Sequence, residues 1–291
     1  MKRSTAGFLF TLPWLIGFLI FTAGPMLTSL YLSFNKYDLS KMEWVGTKNY
    51  ERLLTQEPLF WKSLQVTFTY AIFSVPLGII GSLALAILLN QKVRGQRVFR
   101  TLFYLPSLVP ATASALLWQW IFNNDYGLMN YGLGLFGIGG AEWLADEKYT
   151  LWAFIMMSLW GIGGGRMVIF LAGLQGISES YYEAAKIDGA SPWHQFRFIT
   201  VPQLSPVIFF NLILGFIGAF QVFTQAYIMT GGGPNNSTLF YALSLFRNAF
   251  EYFKLGKASA MAWLLFLILM VITAIQFWSS KRWVHYEAEA K

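Results

Sequence analysis

Cysteine is absent from this chain. Its absence excludes disulfides, thiol nucleophiles and zinc–thiolate centres. Only two histidines are present, His194 and His285, too few for a histidine-based metal cluster. Charge is scarce as well. Asp, Glu, Lys and Arg make up 12% of the 291 residues, about half the roughly 25% of soluble domains. A core of this size could not be covered for water with so few charges. No G-x-x-x-x-G-K-[ST] stretch occurs; the nearest, GGGPNNST, lacks the lysine that would reach nucleotide phosphates. Nothing in the chain is built to bind and hydrolyse ATP unaided.

What is present in abundance is apolar surface: 56% of the residues are hydrophobic and 18% aromatic, with a mean hydropathy of +0.49. The solvent for such a chain is a lipid bilayer. Six apolar runs lie at roughly 8–34, 66–89, 102–122, 150–175, 204–228 and 258–279, each close to the about 20 residues a helix needs to cross. The first, beginning FLFTLPWLIGFLIF, is too long for a signal-peptide core and is followed by no A-x-A-like cleavage site, so it counts as a span. The expected fold is an all-α integral membrane protein with six transmembrane helices and one domain, 1–291.

An even number of spans puts both termini on one side. With the termini inside, the inner segments hold eleven basic residues against five acidic ones, whereas the outer segments hold nine of each. KVRGQRVFR alone packs four basic residues into nine positions. Lysine and arginine gather on the cytoplasmic side of membrane proteins, so both termini are expected in the cytoplasm. The net charge of +7 reads as a topology signal and not as a nucleic-acid surface.

This orientation places a polar segment, YEAAKIDGASPWHQFRFITVP, in the cytoplasm between spans four and five. Ser180 and Glu183 have capping-box spacing, so a helix is expected to start near Tyr181. Asp188-Gly189 should end it, because glycine takes left-handed dihedrals without penalty. Ser191 then caps a second helix with Pro192 in its first turn, and Pro202 and Pro206 mark re-entry into the membrane. The expected result is a compact helix–turn–helix knob, smooth on the side of Ala184 and Ala185 and suited to docking into a groove. An ordinary helical loop is the plainer reading.

The spacing E-A-A, three residues, Gly, nine residues, I-x-V-P resembles the EAA loop of ABC importer permeases, whose pattern ends I-x-L-P. The matching positions are Glu183, Ala184, Ala185, Gly189, Ile199, Val201 and Pro202, with valine in place of leucine. The resemblance runs along nearly the whole chain and is narrower than that class. GPMLTSLYLSFNKYDL, WVGTKNYERLL, RTLFYLPSLVPATASALLWQWIF, FLAGLQGISESYYEAA, AYIMTGGGPNNST and GKASAMAW all look like the MalF/LacF-like carbohydrate-uptake subfamily, with its MetI-like fold. The resemblance implies a non-enzymatic transport subunit in a bacterial or archaeal plasma membrane. It implies a second homologous permease, two ATPase subunits that carry ATP and Mg, an extracytoplasmic solute-binding protein and a sugar substrate. No cofactor or metal is expected on the chain itself. Glu183, Ala184, Ala185, Asp188, Gly189 and Pro202 would form the contact with the ATPase.

The same resemblance places a sugar path on spans four and five. Candidates there are Ser158, Trp160, Gly161, Asn211, Gly215, Gln221 and Gln225, since amides and hydroxyls bond sugar hydroxyls and aromatic faces stack on sugar C–H faces. Asn211, Gly215 and Gln225 fall close to one helical face, with Gln221 off it. Gly163 to Gly165 would either loosen span four where it lines a cavity or permit close helix packing. Arg166 is the one charge inside a span. An arginine at the bilayer centre costs at least ~2.5 kcal/mol on insertion scales, so it should face the interior, toward an anionic sugar or a salt bridge to the second permease. It keeps alive an importer of another or anionic solute, such as glycerol phosphate. An ion-coupled secondary transporter would need intramembrane carboxylates, and the spans contain none. After span five, TGGGPNNST (Thr230–Thr238) reads as an outer turn that, by resemblance, helps receive sugar from the binding protein.

Overall fold

The computed structural model describes residues 3–91 and 94–285. Lys2, Lys92, Glu287, Glu289 and Lys291, which enter the charge count above, lie outside the described residues. The chain divides into two compact units, Met1–Trp61 with Ser244–Ile268, and Lys62–Leu243 with Leu269–Lys291. Among the described residues, four helices are long and apolar enough to cross a membrane, or six if each of two bent pairs counts as one span.

In the first unit, α1 (Arg3–Phe18) runs through a π-helical turn into α2 (Gly24–Ser33). A short antiparallel hairpin follows, β1 (Asn35–Tyr37) with β2 (Met42–Trp44), paired Asn35 to Trp44 and Tyr37 to Met42. Next comes α3 (Lys48–Thr55), whose buried Asn49 amide donates to the carbonyls of Ser33 and Asn35 at 2.8 and 2.9 Å. These bonds satisfy backbone groups left open where α2 ends and the hairpin begins. Gly256, at the start of α15 (Leu255–Ser280), passes so close to the Asn35 carbonyl that a Cβ there would overlap it. Lys257 bridges Glu57 at 2.7 Å beside it.

The second unit is organised around α4 (Pro58–Asn90). Its inner face carries small and hydroxylated residues, Ser63, Thr67, Ser74 and Ser82, all buried. Thr67 accepts from the Tyr241 amide at 2.9 Å, and Ser82 donates to the Ile162 carbonyl at 2.8 Å. Hydroxyls in that position let helices approach and close polar groups that lipid cannot solvate. Around them pack aromatics, with Tyr70 edge-on to Phe240 and Phe68 edge-on to Phe220. The outward face of the same helix is apolar and exposed at Ile72, Ile80 and Leu88, as lipid contact requires. Arg100 of α5 (Gln96–Tyr104) closes the C-terminus of α4 by donating to the Leu89 carbonyl.

The run at 102–122 is not a straight helix. A 3-10 turn (Leu105–Leu108) ends α5, and α6 (Ala111–Ile121) leaves at 95°. Proline supplies the cause: Pro110 drives Val109 into extended geometry (φ −72°, ψ 126°) and offers no N–H to continue the ladder. After α7 (Leu128–Leu135), the fourth run also bends, by 46°, between α8 (Glu147–Leu159) and α9 (Gly165–Gly176). The break is a 3-10 turn, Trp160–Gly163, ending at Gly164 in extended geometry. The glycines sit at the break and two of them permit close packing. A Cβ on Gly163 would overlap the Phe103 carbonyl, and one on Gly164 would press on Ser107 at 2.9 Å, whereas Gly165 faces open space.

The fifth run starts earlier than sequence reading places it. The short α11 (Pro192–Gln195) passes through a π-helical turn, Phe196–Thr200, into α12 (Val201–Phe220) without interruption. Pro202 and Pro206, expected to mark re-entry into the membrane, therefore lie inside one continuous helix. The Val201 amide reaches back five residues to the Phe196 carbonyl, and this wider turn relieves the clash of the Pro202 ring with the preceding turn. Past Gln221–Phe223 the chain resumes as α13 (Thr224–Met229) and packs on α6, where Gln119 donates to the Met229 carbonyl. After α14 (Tyr241–Phe246), the end of α15 closes on α12, with Phe209 edge-on to Phe277 and Trp283.

Candidate functional site

Two features stand out from the packed helices: a projecting knob and a small internal cavity, both within the second unit.

The knob begins with α10 (Glu179–Ile187). Its N-cap is Ser178, whose hydroxyl accepts from the Ser180 amide. The expected cap at Ser180 is thus two residues late, because Ser178 has the extended dihedrals of a cap (φ −62°, ψ 132°) and Ser180 already lies in the first turn. The other end matches the sequence reading. Gly189 takes φ +75°, and the amides of Gly189 and Ala190 return to the Lys186 and Ala185 carbonyls at 3.1 and 2.8 Å. Ser191 then caps α11 with Pro192 in its first turn.

The knob is cross-braced. Tyr182 Oη lies 2.9 Å from Thr200 Oγ1, and Gln195 donates to the Ala190 carbonyl at 2.9 Å. Glu183, Ala184, Asp188 and Gly189 are exposed on its outside, with Ala185 and Pro202 half-buried. Sequence reading missed the apolar side chains beside them. Ile187 is 87% exposed and Trp193 66%. The signal was in plain view, an isoleucine and a tryptophan in a segment predicted to leave the membrane. Exposed large apolar groups on a polar, braced element mark a contact surface.

The cavity, about 190 Å³, lies among α4, α8, α9 and α12. Of the predicted path residues it brings together Ser158, Arg166 and Gly215, joined by Tyr70, Ser74 and Val75 from α4. It does not take in the others. Trp160 packs edge-on to Trp118, and Gly161 is exposed in the 3-10 turn. Asn211 is buried, with its amide donating to the Val207 carbonyl of its own helix at 2.9 Å. Gln221 is exposed where α12 ends, and Gln225 is half-buried in α13, so the break between them cancels the helical phase that grouped Gln225 with Asn211.

Tyr70, Ser74 and Gly78 follow one another at four-residue intervals along one face of α4. That spacing of polar and small residues in an apolar span could have been found in the sequence. Tyr70 and Ser74 share the cavity wall with Ser158. Arg166 sits in the second turn-position of α9 and reaches between two glycines. Its Nη1 occupies the place of a Cβ on Gly78, and its Nη2 would be 3.5 Å from a Cβ on Gly215. Among the described residues no hydrogen bond or ion pair engages Arg166, and no group of three or more metal-ligating side chains exists.

Several membrane-length apolar helices, a polar cavity among them and a braced exterior knob describe an integral membrane protein. Comparison with known proteins gives the family. Residues 74–285 match the family of binding-protein-dependent transport system inner membrane components. The chain is 46% identical over 293 aligned residues, 99% of this chain and 94% of the other, to a probable ABC transporter permease protein, YesP, of Bacillus subtilis. It is 34% identical to the trehalose/maltose transport system permease protein MalF of Thermococcus litoralis, covering 94% of this chain and 93% of that one. It is 35% identical to the lactose transport system permease protein LacF of Rhizobium radiobacter, covering 94% of each. The fold matches a chain of a bacterial ABC transporter for import of the acidic polysaccharide alginate, with a TM-score of 0.84 at 23% identity over 97% of this chain and 96% of that chain. The protein belongs to the binding-protein-dependent permease family: it is a multi-pass membrane transport subunit and not an enzyme.

Proposed function

We propose that this chain is the permease subunit of an ATP-driven sugar importer, supplying half of the translocation path. Relatives named as trehalose/maltose and lactose permeases, aligned over nearly the full length of both chains, support the sugar assignment. In this reading the chain crosses the membrane six times as one domain, each bent pair making one span, and the lysine and arginine bias puts both termini in the cytoplasm. A second homologous permease completes the path. Two ATPase subunits carry the ATP and Mg, and an extracytoplasmic binding protein delivers sugar.

The observation that carries the coupling role is the knob, a braced pair of helices turned at Gly189 with Ile187 and Trp193 bare. Glu183, Ala184, Ala185, Asp188 and Gly189 form its contact with an ATPase groove. Thrust on the knob passes through α11 and the π-helical turn directly into α12, since the helix runs unbroken past Pro202. α12 carries Gly215 at the cavity wall, so knob and path share one rigid element. Ser158, Arg166 and Gly215, with Tyr70 and Ser74, form the path contacts. Sugar hydroxyls bond the hydroxyl groups there.

The test is ATPase activity of the complex purified from native membranes by a tag on this chain, wild type beside Gly189→Pro. Proline cannot adopt φ +75° and lacks the amide that bonds Lys186. Co-purification of an ATPase and a second permease, with hydrolysis uncoupled from sugar-loaded binding protein in the variant, is the expected result. A chain that purifies alone and binds solute overturns the reading.

A further inference from the structure

Arg166 is a cation inside a membrane span, and among the described residues no carboxylate pairs with it. Its guanidinium is held between Gly78 and Gly215 and lines the same cavity as the hydroxyls of Tyr70, Ser74 and Ser158. The fork is positioned by helix packing, and among the described residues no hydrogen bond or ion pair engages its donors. A buried cation of this kind faces a water-filled cavity or is met by a carbonyl or an opposite charge, and a cavity is what Arg166 lines.

We propose that this cavity recognises a carboxylate-bearing sugar, one acidic residue of the transported saccharide, through Arg166. The inference rests on the transport reading above and names its substrate class. Three features of the site select that ligand. A planar guanidinium pairs with a planar carboxylate through two parallel bonds. One positive charge balances one carboxylate, whereas a phosphate monoester brings about −1.5 to −2, and the middle of the spans offers no second cation. The hydroxyls of Tyr70, Ser74 and Ser158 suit the ring hydroxyls that accompany the carboxylate. The volume, about 190 Å³, is below the roughly 300–1,000 Å³ of ordinary ligand pockets, which fits one sugar residue at a time and not a folded oligosaccharide.

The test uses the intact complex with its binding protein in proteoliposomes. Uptake of a uronic-acid oligosaccharide is compared with uptake of the same oligosaccharide after its carboxyl groups are reduced to alcohols. The ratio of the two rates, taken between wild type and variants, cancels the binding protein's own preference. Arg166→Gln is expected to lower uptake of the acidic form roughly tenfold or more while changing the reduced form less than about twofold. Arg166→Lys should recover part of the loss, since ammonium keeps charge but not the fork. Gly78→Ala, which displaces Nη1 without removing charge, should lower the acidic rate selectively. Equal effects of Arg166→Gln on both forms overturn the inference. So does loss of the second permease from the purified complex, which would make Arg166 a subunit contact. Wild-type uptake of the reduced form alone overturns it and leaves the transport reading standing; uptake of neither form, nor of neutral disaccharides, removes both.

Discussion

Tyr182 Oη and Thr200 Oγ1 lie 2.9 Å apart and join α10 to the π-helical turn that opens α12. The two residues are eighteen positions apart, on either side of the Gly189 turn, so the bond closes the knob into a single body. Tyr182→Phe removes it and costs about 1 kcal/mol. Basal ATPase activity of the complex should be unchanged, while stimulation by sugar-loaded binding protein falls several-fold. A double-mutant cycle with Thr200→Val should show the two losses to be non-additive. Additive losses would mean the brace transmits nothing.

Trp193 is the larger of the bare apolar side chains on the knob. Truncation of a central aromatic in an interface commonly costs 2 kcal/mol or more, about thirtyfold in affinity. Trp193→Ala should therefore release the ATPase subunits during purification in detergent, and Ile187→Ser should weaken them to a lesser degree. The chain itself should remain folded, read by an unchanged circular-dichroism spectrum. Full retention of the ATPase by Trp193→Ala would move the contact elsewhere.

Gly163 and Gly165 stand two positions apart and should respond in opposite ways to alanine. A Cβ at Gly163 runs into the Phe103 carbonyl, backbone that cannot step aside, whereas a Cβ at Gly165 would meet nothing within 4 Å. Overpacking of this kind costs about 1–3 kcal/mol. Gly163→Ala is expected to lower the melting temperature of the purified complex, and Gly165→Ala to leave it within error. Gly256→Ala, which meets the Asn35 carbonyl, should resemble Gly163→Ala.

Thr238 organises the turn after α13. Its hydroxyl bonds Thr230 Oγ1 and the Gly233 carbonyl, both at 2.7 Å, and the turn holds Gly231, Gly232, Asn235 and Asn236 at positive φ. Thr238→Val keeps the shape and removes both bonds, leaving a half-buried carbonyl without that partner at a cost of about 1 kcal/mol. Limited proteolysis should cut the 230–238 segment faster in the variant. An unchanged cleavage rate would show that the backbone alone holds the turn.

Much of this protein was settled by composition and local pattern. Few charges and long apolar runs dictate helices in lipid, because a backbone there must satisfy its own hydrogen bonds. Gly189 and Ser191 mark their turn and cap by local chemistry that no distant residue needs to assist. The EAA spacing resembles a permease family, and full-length similarity to its members bears that out.

Other features depended on which helices meet. Pro202 looked like the point of re-entry into the membrane, yet a π-helical turn that begins before it carries one helix straight through that point. Asn211 and Gln225 looked like neighbours on one helical face, but Asn211 bonds its own helix and Gln225 lies beyond a break. Tyr70 and Ser74 reach Arg166 from α4, about ninety positions earlier in the chain. Periodicity tells which residues share a helical face. Only the close approach of α4, α9 and α12, permitted by Gly78 and Gly215, decides which faces confront one another and what chemistry they enclose.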